Sequence, residues 1–243
     1  MRFYQAIDLP GRGHVPGAWD HRRSADVYLG HSAFKGKTAL DIGPANGFWS
    51  FEMEKRGAEV TALELGEDDE WDAVPHADQD AGSLTGQLKL NVAGTHEQFC
   101  ICRDALRSRV AVVRGSVYNA PRLVQPSDVV LLGNILQHLR DPFLAIERAA
   151  SVAKQRIIIS ESIWHNDPAL LNSAQLYLIP RQETPNVNHS WYQVSPVFVM
   201  EALKILGFGN LKNEIHEQKF CGTPGVDETA RMVPHFTVSA DRL

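Results

Sequence analysis

From about residue 37 onward, short apolar runs alternate with segments whose apolar positions recur at helical spacing. The run 38–42 (Thr-Ala-Leu-Asp-Ile) ends at a glycine, and 47–56 then places Phe48 and Phe51 on one helical face before Gly57 stops the helix. Residues 58–63 alternate into a second strand that ends at Glu64. Three further apolar runs, 110–114, 128–132 and 156–160, predict strands buried on both faces, as in a parallel sheet. Helices are expected over 91–107, over 141–153 with Asp141-Pro142 as a start signal, and over 195–206 with Ser195 as N-cap, Pro196 behind it and Gly207 as stop. Closing strands near 209–219 and 230–240 complete the pattern. The expected architecture is α/β, a doubly wound, Rossmann-like, mostly parallel sheet in one domain, with ligands bound beyond the carboxyl ends of its strands.

Two segments stand outside that alternation. Residues 1–36 form a leading extension, polar and rich in glycine and proline over 1–17, expected to border the ligand pocket of the 37–243 domain. Residues 162–194 form a Trp-, His-, Asn- and Pro-rich insert after the fifth strand, with one expected helix over 168–178. A connection that long reads as a lid or substrate wall, or else as an irregular packing insert.

Composition narrows the class. No apolar stretch approaches the roughly 20 residues of a membrane span, and residues 1–17 lack the apolar core of a secretion signal, so a cytoplasmic location is expected. The three cysteines fit neither a disulfide framework nor a zinc site, so no metal is expected. A formal charge of −5 argues against a broad nucleic-acid surface while leaving room for a local basic patch. The acidic run 67–72 reads as a solvated loop.

The chemistry concentrates at strand ends. In Asp41-Ile-Gly-Pro-Ala-Asn-Gly47, glycines between a strand and a helix let the backbone approach a ligand, although Ala45 stands where nucleotide loops commonly carry their middle glycine. Glu64, 17 positions after Gly47, ends the next strand, where a carboxylate can accept both hydroxyls of a ribose. Loop and acid together indicate an adenosine-type ligand, which nicotinamide-dependent oxidoreductases also bind. After the third strand comes Gly115-Ser116-Val117-Tyr118, and after the fourth Gly133-Asn134 followed by Ile135-Leu-Gln-His-Leu-Arg-Asp-Pro142.

This series resembles the class I S-adenosylmethionine-dependent methyltransferases. With Trp19-Asp-His-Arg-Arg23 and the 51–58 segment, it resembles the subgroup that includes the tRNA wobble-uridine carboxymethyltransferases. The resemblance implies S-adenosyl-L-methionine as cofactor. Gly43 and Gly47 would give close backbone approach, Glu64 would hold the ribose, Ser116 with Val117 the adenine edge, Asn134 would bound the methionine end, and Gly133 would be a further cofactor-binding residue. Trp19 and Arg23 match an upstream aromatic and basic pair that helps hold the cofactor, and Arg231 is the nearest match to a basic residue in the last strand. His138 is the candidate general base, against a reading in which it only packs beneath the cofactor. Glu161, His165, His189 and Tyr192 are further candidates, each read first as a wall residue. Trp191 and Tyr192 could stack on a ring substrate or serve as core anchors.

That subgroup carries a tyrosine at the position of Gln137 and a lysine in its leading segment, whereas residues 1–18 here contain no lysine. Methyl transfer to a small-molecule acceptor is therefore the leading expectation. Modification of a tRNA wobble uridine and a non-catalytic, cofactor-binding subunit are the alternatives; oligomeric state is left open.

Overall fold

A computed structural model describes residues 3–66, 68–77, 80–181, 190–222 and 230–243. The chain opens with four short strands, β1 (Phe3–Gln5), β2 (Ile7–Leu9), β3 (Gly13–Val15) and β4 (Gly17–Asp20), and a helical turn, α1 (Ala25–Tyr28). The alternating part follows as β5 (Thr38–Ile42), α2 (Phe48–Lys55), β6 (Glu59–Glu64), α3 (Ala81–Leu106), β7 (Ala111–Arg114), α4 (Ala120–Leu123), β8 (Ser127–Gly133), α5 (Pro142–Val152) and β9 (Ala153–Ser162). The insert contributes α6 (Pro168–Leu171), β10 (Leu176–Leu178) and β11 (Tyr192–Val194), before α7 (Pro196–Ile205), β12 (Phe208–Phe220) and β13 (Arg231–Arg242).

Nine strands form one sheet in the order β1-β4-β12-β13-β9-β8-β5-β6-β7. The β9-β8-β5-β6-β7 stretch is parallel throughout, and β13, β12 and β4 add to it antiparallel. All seven strands and the Rossmann-like winding expected from the sequence are present. The apolar runs are explained by helices on both faces. On one face Ile42, Val130 and Leu132 pack against Ile146 and Ala149 of α5 and Val199 and Leu203 of α7. On the other, Val60, Leu131 and Ile158 pack against Phe48 and Met53 of α2, Phe99 and Cys102 of α3, and Tyr28 of α1.

Three expectations need correction. The leading segment belongs to the sheet: β1 and β4 extend it beyond β12, with Lys219 opposite Asp20 and Phe220 opposite Trp19. Its strands are three or four residues long and separated by glycine and proline, too short for alternation to register. Helix α3 starts ten residues before the expected 91, capped by the Asp80 carboxylate accepting the Ser83 N–H at 2.6 Å. Two glycines in its first half, Gly82 and Gly86, weaken the helical pattern there. The expected helix 168–178 is a single turn, α6, followed by β10, which pairs antiparallel with β11. Ser195 Oγ, donating to Ser173 O at 2.6 Å and accepting from the Gln175 N–H at 3.1 Å, holds the chain in its extended course.

Among the described residues no helix is long and apolar enough to cross a membrane, and no group of three potential metal ligands occurs. All three cysteines are free thiols.

Candidate functional site

Chain direction across the sheet reverses at β5, which has β6 on one side and β8 on the other, and a crevice must open beyond their carboxyl ends. A cavity of about 860 Å³ lies there. Its lining includes Gly43, Ala45, Glu64, Ser116, Val117, Gly133, Asn134 and His138 from the strand ends, and Trp19, His21, Tyr28, Phe220 and Arg231 from the antiparallel side.

The glycine loop is held in place by side chains under it. Gly43 and Gly47 take φ of +74° and +86°, and a Cβ on either would collide, with Ile135 Cδ1 at 2.8 Å and with Phe51 and Phe99 at 2.5–2.7 Å. Gly47 is not on the cavity lining; its lack of a side chain lets α2 and α3 close together. Ala45 adopts φ of +50°, a conformation that costs a non-glycine residue on the order of 1–2 kcal/mol. Buried Asn46 offsets that cost by bonding both ways to the backbone of Gln5: Gln5 N–H to Asn46 Oδ1 at 3.1 Å and Asn46 Nδ2 to Gln5 O at 2.9 Å. Ser50 donates to buried Asp41 at 2.5 Å, and burial raises Asp41 to a pKa of about 6.

Glu64 ends β6 beside this loop, and its Oε1 accepts the Leu65 N–H at 3.0 Å. Burial pushes its pKa up to about 7, opposed by N–H groups of Leu65 and Ala45 and by the Arg114 guanidinium. Ser116 and Val117 are buried at the end of β7, with the Ser116 hydroxyl accepting the Tyr118 N–H at 3.2 Å. Gly133 is where β8 passes Tyr28, whose hydroxyl lies 2.8 Å from where a Cβ would stand. Asn134 (φ +55°) is committed to neighbours: Oδ1 accepts from Ser162 N at 2.8 Å and Ser162 Oγ at 2.9 Å, and Nδ2 lies 3.2 Å from His235 Nε2.

His138 is half-buried on the lining, in a short 3-10 turn at Leu136–His138. Glu161 anchors that turn from below, accepting Ile135 N–H at 2.9 Å and Leu136 N–H at 2.7 Å, with its pKa raised to about 8 by burial. Glu161 does not line the cavity and acts as a positioning group. Gln137 lines it, and its Oε1 accepts the indole N–H of Trp164 at 3.1 Å.

Several side chains were not singled out by the sequence. Asp72, read there as part of a solvated loop, accepts from Tyr118 Oη at 2.5 Å and Arg140 N at 2.9 Å, while its carbonyl accepts the Trp191 indole N–H at 2.6 Å. It ties the loop after β6 to the turn after β8 and to the insert; the start of that run, Glu67, lies outside the described residues. His21 and His216 are bridged by buried Gln218, and the ring of buried His235 stacks on that of His216 at 5.8 Å. His21 Nδ1 lies 2.8 Å from Gln218 Oε1, Gln218 Nε2 lies 2.9 Å from His216 Nδ1, and His216 Nε2 lies 2.8 Å from Thr237 Oγ1. His235 Nδ1 lies 3.0 Å from Val233 O, so this nitrogen carries the proton and Nε2 accepts from Asn134. Desolvation lowers His21 and His216 to a pKa of about 4 and His235 to about 3, so all three are neutral. Trp19 stacks on His21 at 5.6 Å and meets His235 edge-on at 5.4 Å. Alternation in β4 and in the β12–β13 hairpin places these rings on one face, a signal readable only once the pairing is known.

The remaining candidates fall away from the cavity. Arg23 is exposed and outside its lining. His165 packs on Tyr177 at 4.8 Å, Trp191 lies under Arg140 at 5.0 Å, and Tyr192 pairs with Leu178 in the small sheet. His189 lies outside the described residues.

The chain matches no protein-family model and no curated protein. Among solved structures it is similar to magnesium protoporphyrin IX methyltransferase (ChlM) from Synechocystis PCC 6803 with bound SAH, at 16% identity over 92% of this chain and 84% of that one, with a TM-score of 0.57. It is also similar to the N-terminal domain of EvdMO1 in the presence of SAH and D-fucose, at 18% identity over 98% and 90% of the two chains, with a TM-score of 0.55. A third is 1,6-didemethyltoxoflavin-N1-methyltransferase from Burkholderia thailandensis, at 14% identity over 91% and 77%, with a TM-score of 0.54. Combined with the strand order and the crevice at β5 and β8, these likenesses establish that the chain has the Rossmann-like fold of the methyltransferases.

Proposed function

We propose that this chain is an S-adenosyl-L-methionine-dependent methyltransferase acting on a small-molecule acceptor. The observation that carries the proposal is the placement of Glu64, a carboxylate at the end of β6 beside the Gly43–Ala45 turn and facing a cavity with apolar walls. A carboxylate there suits the two hydroxyls of a ribose, and Ile42, Leu63, Leu65 and Val117 give an adenine ring apolar surface. When bound, the cofactor would supply a methyl group on a sulfonium; the chain's task is to hold the acceptor in line with it. Of the upstream pair, Trp19 fits this reading, while Arg23 and Gly47 have no part in the pocket and Arg231 is the guanidinium that borders it.

Beyond the adenosine end the lining turns aromatic, with Trp19, Trp164 and Phe220 around Gln137 and His138. That surface suits a compact, ring-bearing acceptor, and the cavity volume is of small-molecule size. Glu64, Glu70 and Asp72 outnumber Arg231 along the wall, which favours a small molecule over a tRNA anticodon with its phosphates. His138 would take the proton that an alcohol or amine acceptor loses. The fold neighbours support this reading to the extent that ChlM and the toxoflavin enzyme are named for methylating small ring compounds.

The test is calorimetric titration with S-adenosylhomocysteine. The parent should bind it, and Glu64→Ala should weaken binding by about 2–3 kcal/mol with the melting profile intact. Unchanged affinity in the variant, or binding of NAD in place of S-adenosylhomocysteine, overturns the proposal. Side-by-side titration with the carboxylated cofactor tests the methyl reading, since tighter binding of that form would return the chain to the carboxymethylating subgroup.

A further inference from the structure

At the opposite edge of the sheet, where the parallel strands begin, a separate depression of about 570 Å³ gathers five cationic side chains, Lys37, Lys154, Arg156, Lys212 and Arg242, around one carboxylate, Asp241. They come from the residue before β5, the start of β9, the middle of β12 and the end of β13. In a chain of net charge −5, such a concentration of one sign is the reverse of the average surface.

The two arginines are rigid. Arg156 donates to Asp241 Oδ1 at 2.6 Å, Ser239 Oγ at 2.9 Å and Gly30 O at 3.2 Å, and its Nε is buried without a hydrogen-bond partner. Asp241 is thereby engaged. Arg242 is fixed over Phe208 at 4.3 Å and donates to the carbonyls of Ala153 and Ala150, which take up its hydrogens without cancelling its charge. Lys154 lies 3.3 Å from Asp128, a carboxylate that also accepts from Thr38 N, Thr38 Oγ1 and Gln155 Nε2. Lys37 and Lys212 form no ion pair with a carboxylate among the described residues. Fixed guanidinium groups flanked by lysines able to swing inward are the parts of a site for clustered anionic oxygens. The rest of the lining is small and polar, with His31 its single ring and no apolar wall for a nucleobase.

We propose that this depression binds a compact polyvalent anion, a small molecule carrying two or more phosphate-type groups, at a site separate from the cofactor cavity. Such a ligand would draw together β9, β12, β13 and the segment before β5, so occupancy stabilises the fold.

Inorganic tripolyphosphate is the probe, titrated into the full chain by calorimetry and by thermal shift against potassium chloride at matched ionic strength. Saturable one-to-one binding with a raised melting temperature is expected. The double variant Lys37→Gln, Lys212→Gln should weaken it roughly tenfold or more. Lys55→Gln on α2 should leave it unchanged, and S-adenosylhomocysteine binding serves as the folding control for both variants. Heat no greater than that of matched salt, or equal affinity in the double variant, overturns the proposal. Tighter binding of a 12-nucleotide single-stranded RNA than of tripolyphosphate also overturns it, and makes the face a nucleic-acid surface.

Discussion

The two ends of the cavity are built in different ways. At the end proposed for the adenosine, Gly43, Glu64, Ser116 and Val117 stand at the carboxyl ends of adjacent parallel strands, each placed by its own strand and turn. At the end proposed for the acceptor, Trp19, His21, Phe220 and Arg231 come from β4 with the residue after it and from the β12–β13 pair, roughly 200 residues apart in the chain, and are aligned by the His21–Gln218–His216 hydrogen bonds and the packed ring of His235. Where position follows from local chain geometry, the buried support is a few side chains under the loop, Asn46 and the Ser50–Asp41 pair. Where remote segments must meet, the fold spends buried polar groups on alignment, and each is costly if left unpaired.

The sharpest test lies where the two ends meet. His138→Ala should lower turnover by roughly 10²–10⁴-fold while S-adenosylhomocysteine affinity and melting temperature stay close to the parent. Loss of cofactor affinity in parallel with turnover would assign His138 to the adenosine end instead. Next comes the packing under the acceptor end. Tyr28 is fully buried, stacks on Trp49 at 3.9 Å and underlies Gly133. Tyr28→Ala should cost about 3–5 kcal/mol in urea unfolding. A loss below about 1 kcal/mol would mean that the acceptor end is not structurally coupled to the core.

Two pH measurements separate the ends further, because their signs are opposite. Burial raises Glu64 to a pKa of about 7, so the ligand-free fold holds a proton that the unfolded chain releases. The stability tied to that proton is complete below about pH 4.5 and is lost as pH rises through about 7. Glu64→Gln should therefore reduce the fall in stability between pH 5 and 8 by on the order of 2 kcal/mol. In the parent, cofactor affinity should rise with pH through the same range as the carboxylate ionises, and the variant should lose that dependence. The histidines run the other way: His216 is lowered to about 4, so its stabilising effect is full above about pH 6.5 and is lost as pH falls through 4. His216→Gln should lose less stability than the parent between pH 7 and 5, by on the order of 1 kcal/mol, read from urea midpoints. An unchanged slope would mean that His216 takes up its proton equally in the folded and the unfolded chain.

Legibility followed the same division. Seven strands, helices α5 and α7 with their Asp141 and Ser195 caps, and Gly43 and Glu64 at strand ends could be located by period and punctuation, because each depends on neighbours within a few residues; Ser116, Val117 and Asn134, which also line the cavity, were singled out by the family resemblance. Arg23 and Trp19 were matched together by sequence order, yet β4 ends at Asp20 and the chain turns before α1, so Trp19 reaches the cavity and Arg23 is exposed. The Asp72 hub looked like solvent-facing charge, since nothing nearby in sequence reveals that Tyr118, Arg140 and Trp191 converge on it.

What the sequence determined by itself is the alternating α/β winding and the placement of Gly43 and Glu64 at the ends of its parallel strands, because hydrophobic period and turn residues act locally. Only the tertiary structure decided that the leading segment joins the sheet, that the rings of histidines 21, 216 and 235 come together, and that five cations from residues 37 to 242 surround one depression in an acidic protein. Each of those depends on strand pairing between distant segments, and a short strand's partner is fixed by the whole sheet rather than by the residues of the strand.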